Sequence, residues 1–443
     1  MNKELASGLI IAAPASGSGK TVVTLSLLRA LKNSGGRVGS FKIGPDYIDP
    51  AYHSAASGAV CRNLDFWGMR ESTLMLQLDG TVVRNSLVIT EGVMGLFDGA
   101  ATGHAMSSGS TADAAKWLGW PVILVIDAKG QGASAAALVE GFVNHRDDIK
   151  IAGIIFNRIG GLGHEHILRD AISHIGIPCL GCIPRDARLD LPSRHLGLVQ
   201  AKEILELNLW LDEAANVIAA HVDLELVSSI AEQSKVITIS DIQPPISKLG
   251  QHTAIACDDA FAFCYDHIVD AWRAAGVELS FFSPLAGEIP DASADSVYLP
   301  GGYPELHCAA ISSNSRFVEA MHLAVAKGVV IYGECGGFMV LGEMLTDREG
   351  KSHEMLGLLP VNTSFQEPRL HLGYRNLTLK GAGPLGKAGS QFKGHEFHYC
   401  SVTKIGDADS LFHARDAKGE CLPEMGCKVG NVMGSFAHII DSV

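Results

Sequence analysis

The chain has 443 residues, of which 47% are hydrophobic and 19% charged, a composition typical of a globular protein with two or three domains. Its 35 lysines and arginines against 48 aspartates and glutamates give a net charge of −13. That sign disfavours binding to nucleic acid or to an anionic membrane, and no stretch approaches the roughly eighteen apolar residues of a membrane span. Small-molecule chemistry is therefore the expected class of function.

The ten cysteines show no disulfide framework, which predicts a reducing, cytoplasmic location. Cys179 and Cys182 form a C-x-x-C pair. Because no second pair stands at zinc spacing, a structural role is favoured over a metal or redox role. The apolar residues 9–13 are too few for a signal peptide and continue into a glycine-rich loop, so they are predicted as a first strand.

The first motif is PASGSGKT at residues 14–21, between a predicted strand at 8–13 and a helical pattern that extends to residue 31. It matches a phosphate-binding loop except at Pro14, where glycine is usual; a chance match is the less favoured alternative. Backbone N–H groups here can surround a triphosphate, while the lysine reaches its phosphates and the threonine binds Mg²⁺. The motif predicts ATP and Mg²⁺ as ligands of Ser16, Gly17, Ser18, Gly19, Lys20 and Thr21.

Further strands are predicted at residues 37–43, 86–90, 122–126, 151–156 and 178–183, with helical patterns between them. This alternation predicts an α/β fold with a doubly wound, mostly parallel sheet.

Carboxylates follow several of these strands, at the sheet edge where open α/β folds bind ligands. The loop GPDYIDP at residues 44–50 carries two carboxylates and two prolines, an unusual composition for a simple connection. Glu91 is the first candidate for a Mg²⁺ ligand, and Asp127 at the end of the next strand is its rival. Either of them could instead be a solvated acid at a strand end.

A linker is predicted at residues 242–246, where two consecutive prolines end an acidic helical tract. We place the domain boundary after it, giving domains 1–246 and 247–443. A new alternation that begins at residue 254 predicts a second α/β domain.

The second domain contains an apolar run at residues 329–332 that leads into the sequence GECGG around Cys335. This pattern predicts a nucleophile elbow, in which a strained turn exposes the sulfur and the next helix stabilises the thiolate. The N–H of Gly336 and those of Gly301 and Gly302, after a predicted strand at 296–299, would form an oxyanion hole. The alternative is a buried structural thiol at a tight connection.

A histidine could serve as the general base for this thiol. Residues 432–438 are predicted as a strand that ends at His438, and GHEFHY at residues 394–399 offers His395 and His398 as competitors. The residues alone do not show which ring approaches the sulfur. The order of glycine loop, elbow cysteine and C-terminal histidine favours His438.

The second half resembles a class I, triad-type glutamine amidotransferase domain, and the first half resembles the dethiobiotin synthetase type of P-loop domain. With the motifs GPDYIDP (44–50), LPSRHLGL (191–198), LPGGYPE (299–305) and GHEFHY (394–399), nearly the whole chain is similar to the corrin a,c-diamide synthases of cobalamin biosynthesis. One departure from the wider amidotransferase pattern is Ile440, two positions after the histidine, where glutamate is usual. The resemblance therefore implies a Cys-His dyad.

The resemblance implies an ATP- and glutamine-dependent ligase in which Cys335 attacks the glutamine amide and His438 carries the proton. Ammonia would pass to the first domain, where ATP phosphorylates a corrin carboxylate that ammonia then converts to an amide. The resemblance assigns Mg²⁺ to Thr21, Asp46 and Glu91, and the nucleotide base to Asn157 and Arg185. The residues that it places near the substrate are Lys42, Tyr47, Asp49, His195, His395 and His398.

The form of the phosphate loop, AAPASGSGKT, resembles that of enzymes of the oxygen-dependent route, so hydrogenobyrinic acid is expected to be preferred over cobyrinic acid. Two other classes are weighed against the ligase: a P-loop switch ATPase with a non-catalytic amidotransferase domain, and a non-catalytic corrinoid-binding protein. The presence of both Lys20 and the pair Cys335 and His438 argues against each of them. A homodimer is left open as the assembly.

Overall fold

The computed structural model describes residues 6–100, 108–191, 193–194, 197–234 and 244–443. The chain divides into two compact units: the first contains most residues up to 241, and the second extends from residue 242 to the C terminus and includes residues 68–70. Our boundary between residues 246 and 247 stays a prediction, and residues 242 and 243 of the expected linker lie outside the described residues. None of the helices in the described ranges is long and apolar enough to cross a membrane.

The helices of the first unit are α1 Lys20–Asn33, α2 Asp49–Ser57, α3 Glu71–Val82, α4 Thr111–Leu118, α5 Ala135–His145, α6 Leu162–Ile172, α7 Leu207–His221 and α8 Leu224–Ile230. Its strands are β1 Ser7–Ala12, β2 Val38–Ile43, β3 Arg62–Leu64, β4 Leu87–Glu91, β5 Val122–Asp127, β6 Ile151–Ile159, β7 Cys179–Pro184, β8 Ser193–Arg194, β9 Gly197–Leu198 and β10 Glu232–Gln233.

The main sheet of the first unit has the order β3-β2-β4-β1-β5-β6-β7, and β10 pairs antiparallel with β1. The other pairings within it are parallel. Its central strands are mostly apolar because both faces of the sheet are covered, and Leu9, Ile10 and Ile11 are fully buried. The predicted doubly wound, mostly parallel sheet is confirmed.

Strands β3, β8, β9 and β10 and helix α2 of the first unit are not among the predicted elements. Strand β3 has only three residues, and α2 begins at Asp49, inside the stretch that we treated as a loop. Pro50 stands in the first turn of α2, where its missing N–H costs no helical hydrogen bond. The loop therefore reaches only to residue 48, and the helix that follows carries side chains into the site described below.

The helices of the second unit are α9 Asp266–Ala274, α10 Cys308–Ser313, α11 Ser315–Ala326 and α12 Gly336–Leu341. Its strands are β11 His252–Ala256, β12 Glu278–Phe282, β13 Ser296–Leu299, β14 Val330–Glu334, β15 Met344–Thr346, β16 Ser352–Glu354, β17 Val361–Ser364, β18 His371–Leu379, β19 Gln391–His398, β20 Ser401–Ile405, β21 Asp409–Arg415, β22 Met425–Val429, β23 Val432–Ser435 and β24 Ala437–Ser442.

The large sheet of the second unit has the order β12-β11-β13-β14-β23-β22-β21-β18-β19-β24. The first five strands of this order, β12, β11, β13, β14 and β23, pair in parallel, and the remaining pairings are antiparallel. The second α/β domain is confirmed. The prediction of a single strand at residues 432–438 is wrong. The chain pairs with β14 up to Ser435 and with β19 from Ala437 onward, so two strands cover this range. His438 is therefore the second residue of a new strand.

Candidate active sites of the two units

The phosphate loop of the first unit lies between β1 and α1 and is fixed by contacts from β6. Gly17 and Gly19 have φ angles of 80° and 92°, a left-handed backbone that favours glycine. A Cβ on Gly19 would lie 2.2 Å from Nδ2 of Asn157, which donates to the carbonyl of Ser18 at 3.0 Å. Arg158, which the sequence did not indicate, donates to the carbonyl of Gly17 at 2.9 Å. Side chains at the end of β6 therefore hold the loop in shape.

Lys20 lies beneath this loop and is nearly buried. Its ammonium donates to the carbonyl of Met94 at 2.5 Å and to that of Ala15 at 3.4 Å. Burial lowers the pKa of Lys20, although the charge of Glu91 opposes that effect. A cation whose hydrogen bonds within the described ranges go to backbone carbonyls has the chemistry needed to bind phosphate oxygens.

Glu91, at the end of β4, is the centre of a buried polar cluster. Its Oε1 accepts from the hydroxyl of Thr21 at 2.6 Å and from Nζ of Lys42 at 2.8 Å. Its Oε2 contacts Nε2 of His53 at 2.7 Å. Burial alone would raise the pKa of Glu91, but Lys42 and His53 lower it, so the carboxylate stays ionised.

Lys42 links Glu91 to the start of α2, where its Nζ also donates to Asp49 at 2.6 Å. Burial would lower the pKa of Lys42, but the charges of Asp49, Glu91 and Asp46 raise it. Burial and the neighbouring charge of Asp46 raise the pKa of Asp49 to about 6. Oδ1 of Asp46 accepts the N–H groups of Ile48 and Asp49 at 2.8 and 2.9 Å, which fixes the turn into α2.

The structure therefore brings together Thr21, Glu91, Lys42 and Asp49, with Asp46 in the adjoining loop. Hydroxyl and carboxylate oxygens are the ligands that Mg²⁺ prefers, and the hydroxyl of Thr21 and Oε1 of Glu91 are adjacent, joined by a 2.6 Å hydrogen bond. The half-buried Tyr47 follows Asp46 in the same loop, and His195 lies outside the described residues.

Asp127, the rival of Glu91, has a different environment. Its carboxylate accepts from Arg158 at 2.8 Å and from the N–H of Lys129 at 2.9 Å. Arg158 has a φ of 58°, a strained value for a residue with a side chain, so the ion pair with Asp127 stabilises an unusual backbone. Because the carboxylate of Asp127 is engaged by Arg158 and Lys129, the geometry favours Glu91 as the candidate metal ligand, and that assignment stays a prediction.

A cavity of about 380 Å³ opens beside the phosphate loop. This volume is within the range of small-molecule sites. Its lining includes Gly19, Asn157, Arg158, Arg185 and Asp186, so the two residues expected to meet the nucleotide base do share one cavity. An adenine base next to the phosphate loop would contact these side chains.

The elbow of the second unit has the predicted backbone strain. Cys335 lies between β14 and α12 with φ 48° and ψ −106°, and its N–H donates to the carbonyl of Ser435 at 2.8 Å. A Cβ on Gly337 would lie 1.9 Å from the carbonyl oxygen of Leu299, so the turn needs glycine there. The predicted exposure of the sulfur is wrong, because Cys335 is only 2% exposed; burial raises the pKa of its thiol, and the stabilised thiolate stays a prediction.

The glycine loop after β13 closes on the elbow. A Cβ on Gly301 would lie 2.3 Å from Cε1 of His438, 3.0 Å from its Nε2 and 3.1 Å from Cβ of Cys335. A Cβ on Gly336 would lie 2.9 Å from the backbone N of Gly302. The nucleophile, the histidine and the three glycines of the predicted oxyanion hole therefore meet at one point.

The imidazole of His438 is buried, and its pKa is lowered to about 3 by burial and by the nearby His395 and His398. A neutral ring with Nε2 directed at the Gly301 corner can accept the proton of Cys335. His395 lies opposite His438 on the neighbouring strand and packs its ring against Tyr374, with 5.5 Å between ring centroids.

His398 is fully engaged elsewhere. Its Nε2 contacts Glu396 at 2.8 Å, its Nδ1 contacts the carbonyl of Cys400 at 3.0 Å, and its ring stacks on Phe436. Arg375 also pairs with Glu396, at 2.7 Å. The geometry favours His438 over His398 as the base, while a substrate contact of His395 or His398 stays a prediction.

The C-x-x-C pair is close in space, with 3.7 Å between the sulfurs of Cys179 and Cys182 on β7. Neither of them belongs to a group of three metal-ligating side chains in the described part of the chain. The group found there consists of His371, Glu396 and His398. A structural role for the two thiols stays our interpretation.

Comparison with known proteins identifies both units. Residues 9–199 match the CobQ/CobB/MinD/ParA nucleotide-binding domain, and residues 252–442 match the CobB/CobQ-like glutamine amidotransferase domain. The hydrogenobyrinate a,c-diamide synthase of Brucella anthropi is 51% identical over 98% of both chains. The enzymes of the same name from Rhizobium meliloti and Rhodobacter capsulatus are 49% and 48% identical, each over 98% of this chain and 99% and 98% of theirs.

This chain belongs to the hydrogenobyrinate a,c-diamide synthase family. The predicted resemblance is confirmed, and the protein is an amido-transferring ligase with a nucleotide-binding domain. The switch ATPase and the non-catalytic binding protein are therefore set aside.

The first prediction separates Glu91 from Asp127. Glu91→Gln should abolish amidation with either glutamine or ammonia as donor, because it removes the charge that faces Thr21 and Lys42. Asp127→Asn should change the rate by no more than about fivefold, since a partly exposed ion pair contributes about 0–1 kcal/mol. Steady-state amidation rates of the two variants check this. Near-normal activity of Glu91→Gln with loss in Asp127→Asn would show that the metal assignment is wrong.

The second prediction uses the close approach at Gly301. Gly301→Ala should abolish the glutamine-driven reaction because the new methyl group collides with the ring of His438, while the ammonia-driven reaction continues. Gly381→Ala is the matched control, since a Cβ there meets nothing within 4 Å. Rates with the two nitrogen donors are compared for each variant. Equal loss of both reactions in a folded Gly301→Ala protein would contradict the arrangement.

Proposed function

We propose that this protein converts the a- and c-side-chain carboxylates of a corrin ring acid, hydrogenobyrinate, to carboxamides, using glutamine as nitrogen donor and ATP to activate each carboxylate. The observation that carries the proposal is that a chain related over its whole length to hydrogenobyrinate a,c-diamide synthases contains both required sites. These are a phosphate loop next to a buried Lys42–Glu91 pair and an elbow Cys335 next to His438.

In the second unit the reaction starts with neutral groups. The Cys335 thiol gives its proton to Nε2 of His438 as the sulfur bonds to the side-chain carbonyl carbon of glutamine. The N–H groups of Gly302 and Gly336 would bind the oxyanion. The carbon–nitrogen bond then breaks, the leaving nitrogen takes the proton from His438, and ammonia departs. Water hydrolyses the thioester to glutamate and restores the thiol.

In the first unit the γ-phosphoryl group of ATP is transferred to a corrin carboxylate, giving ADP and an acyl phosphate. Ammonia attacks the acyl carbon and phosphate leaves, which yields the carboxamide. Lys20 binds the phosphates, and the pair formed by Lys42 and Asp49 flanks the reacting carboxylate. Thr21, Glu91 and Asp46 would hold Mg²⁺, which when bound neutralises charge on the phosphates. Asn157 and Arg185 contact the base.

The third prediction tests the division of labour between the two sites. Cys335→Ala and His438→Ala should each lose glutamine-driven amidation and retain the ammonia-driven reaction at a pH that leaves some NH₃. The loss in His438→Ala should be severe, because a buried thiol with a raised pKa does not ionise without a base. Cys427→Ala, which removes an equally buried thiol elsewhere in the second unit, is the control.

For each variant, the amount of diamide formed with glutamine and with ammonia is measured by chromatography and mass spectrometry, and the two amounts are compared. Loss of the ammonia-driven reaction in a well-folded Cys335→Ala protein would show that the cysteine takes part in the ligase chemistry itself.

The fourth prediction concerns the corrin. We expect kcat/KM for hydrogenobyrinate to exceed that for cobyrinate by about tenfold or more, a modest factor because both present the same carboxylates. Competition between the two acids in one assay measures the ratio directly. A ratio in favour of the cobalt-containing acid would reverse the substrate assignment and leave the two-site scheme intact.

A further inference from the structure

Glu334 is a buried carboxylate to which the reaction described above gives no role. It is the last residue of β14, directly before Cys335, and is 1% exposed. Its Oε1 accepts from the hydroxyl of Tyr332 at 2.8 Å and from the N–H of Ile439 at 3.0 Å. Its Oε2 accepts from the hydroxyl of Tyr298 at 2.7 Å. Three strands thus supply donors that fix this carboxylate in one orientation.

The same carboxylate faces His438. Oε2 of Glu334 lies 3.8 Å from Nδ1 of His438, while Cε1 and Nε2 of the ring lie at the corner formed by Gly301 and Cys335. The order is therefore thiol, Nε2, Nδ1 and carboxylate, which is the order of groups in a catalytic triad. At position 440, where the amidotransferase pattern has glutamate, this chain has a fully buried isoleucine.

We propose that Glu334 is the positioning carboxylate of the glutamine site and takes the place of the triad member missing at Ile440. This inference rests on the proposed function. Glu334 would hold His438 with its proton on Nδ1, leaving Nε2 ready to accept the thiol proton, and would stabilise the imidazolium that follows. The 3.8 Å separation exceeds a hydrogen bond, and such contacts shorten when the charged form develops.

The competing explanation is that Glu334 only ties β13, β14 and β24 together through its three hydrogen bonds. The variant Glu334→Gln distinguishes the positioning role from this structural role. Its amide oxygen can still accept from Tyr332 and Ile439, and its amide nitrogen can donate to Tyr298. Glutamine-driven amidation by Glu334→Gln should fall by about 10²- to 10⁴-fold, as expected when a triad carboxylate loses its charge. Its ammonia-driven activity should stay within about twofold of the parent.

Asp258→Asn is the matched control, since it neutralises a carboxylate of the second unit that accepts only from Ala260, Ser283 and Leu285 among the described contacts. It should leave the ratio of the two activities unchanged.

The pH dependence of the glutamine-site activity gives a second test, because a purely structural role of Glu334 would not change it. Burial raises the pKa of Glu334 to about 7, against the opposing effect of the Ile439, Tyr298 and Tyr332 hydrogen bonds. If the ionised form is needed, the parent's activity rises with pH through about 7. Tyr298→Phe should move that rise to higher pH because it removes a donor to the carboxylate. The titratable groups that face this carboxylate are Tyr298, Tyr332, Cys264, Cys335 and His438.

The rise of activity with pH is measured on the intact protein as the rate at which the glutamine analogue 6-diazo-5-oxonorleucine labels Cys335. This labelling needs neither ATP nor a corrin. The inference predicts that Glu334→Gln abolishes the rise and slows labelling. Parent-like labelling and an unchanged pH profile in Glu334→Gln would overturn the role of Glu334 while leaving the proposed function standing. A parent protein that forms no diamide but whose labelling still requires Glu334 would contradict the proposed function alone.

Discussion

The contact on which the first site depends is the buried ion pair between Lys42 and Glu91. A lone buried charge is very costly, and the two groups offset that cost for each other, with further support from Asp49 on Lys42 and from His53 on Glu91. Their strands lie side by side in parallel register, with Lys42 opposite Glu91, and this register places both side chains at one point. The same carboxylate binds Thr21 from the start of α1 and His53 from α2. One pairing therefore aligns the phosphate loop with the residues that we propose to face the substrate.

The second site depends on close packing around groups that start neutral. Gly301 lets the ring of His438 reach the elbow, and a side chain there would exclude it. Burial raises the pKa of Cys335 and lowers that of His438. Proton transfer from thiol to imidazole is therefore unfavourable until something stabilises the separated charges. When glutamine is attacked, the oxyanion donors stabilise the negative charge and the carboxylate proposed behind the ring stabilises the imidazolium, which couples the reactivity of the thiol to the substrate.

Local motifs could be predicted from the sequence, whereas contacts between strands could not. The P loop and the elbow each consist of consecutive residues whose glycines serve one turn, so Lys20, Thr21 and Cys335 were identified directly. Arg158, His53 and Glu334 were not identified, because each of them contacts residues of elements that are distant in the sequence. His53 alone left a signal, since it stands four residues after Asp49 and so on the same face of α2. The break after Ser435 was missed because both strands around it are apolar.

Buried groups carry paired charges in the first site and are neutral in the second, and this difference follows from the chemistry of each site. The proposed phosphoryl transfer to a carboxylate needs fixed charges throughout, and the first unit pairs Lys42 with Glu91. Release of ammonia needs charge only for a moment, and the second unit keeps its cysteine and histidine neutral by burying them. A neutral thiol at the elbow becomes reactive when bound glutamine and the oxyanion donors supply the contacts that compensate the developing charge.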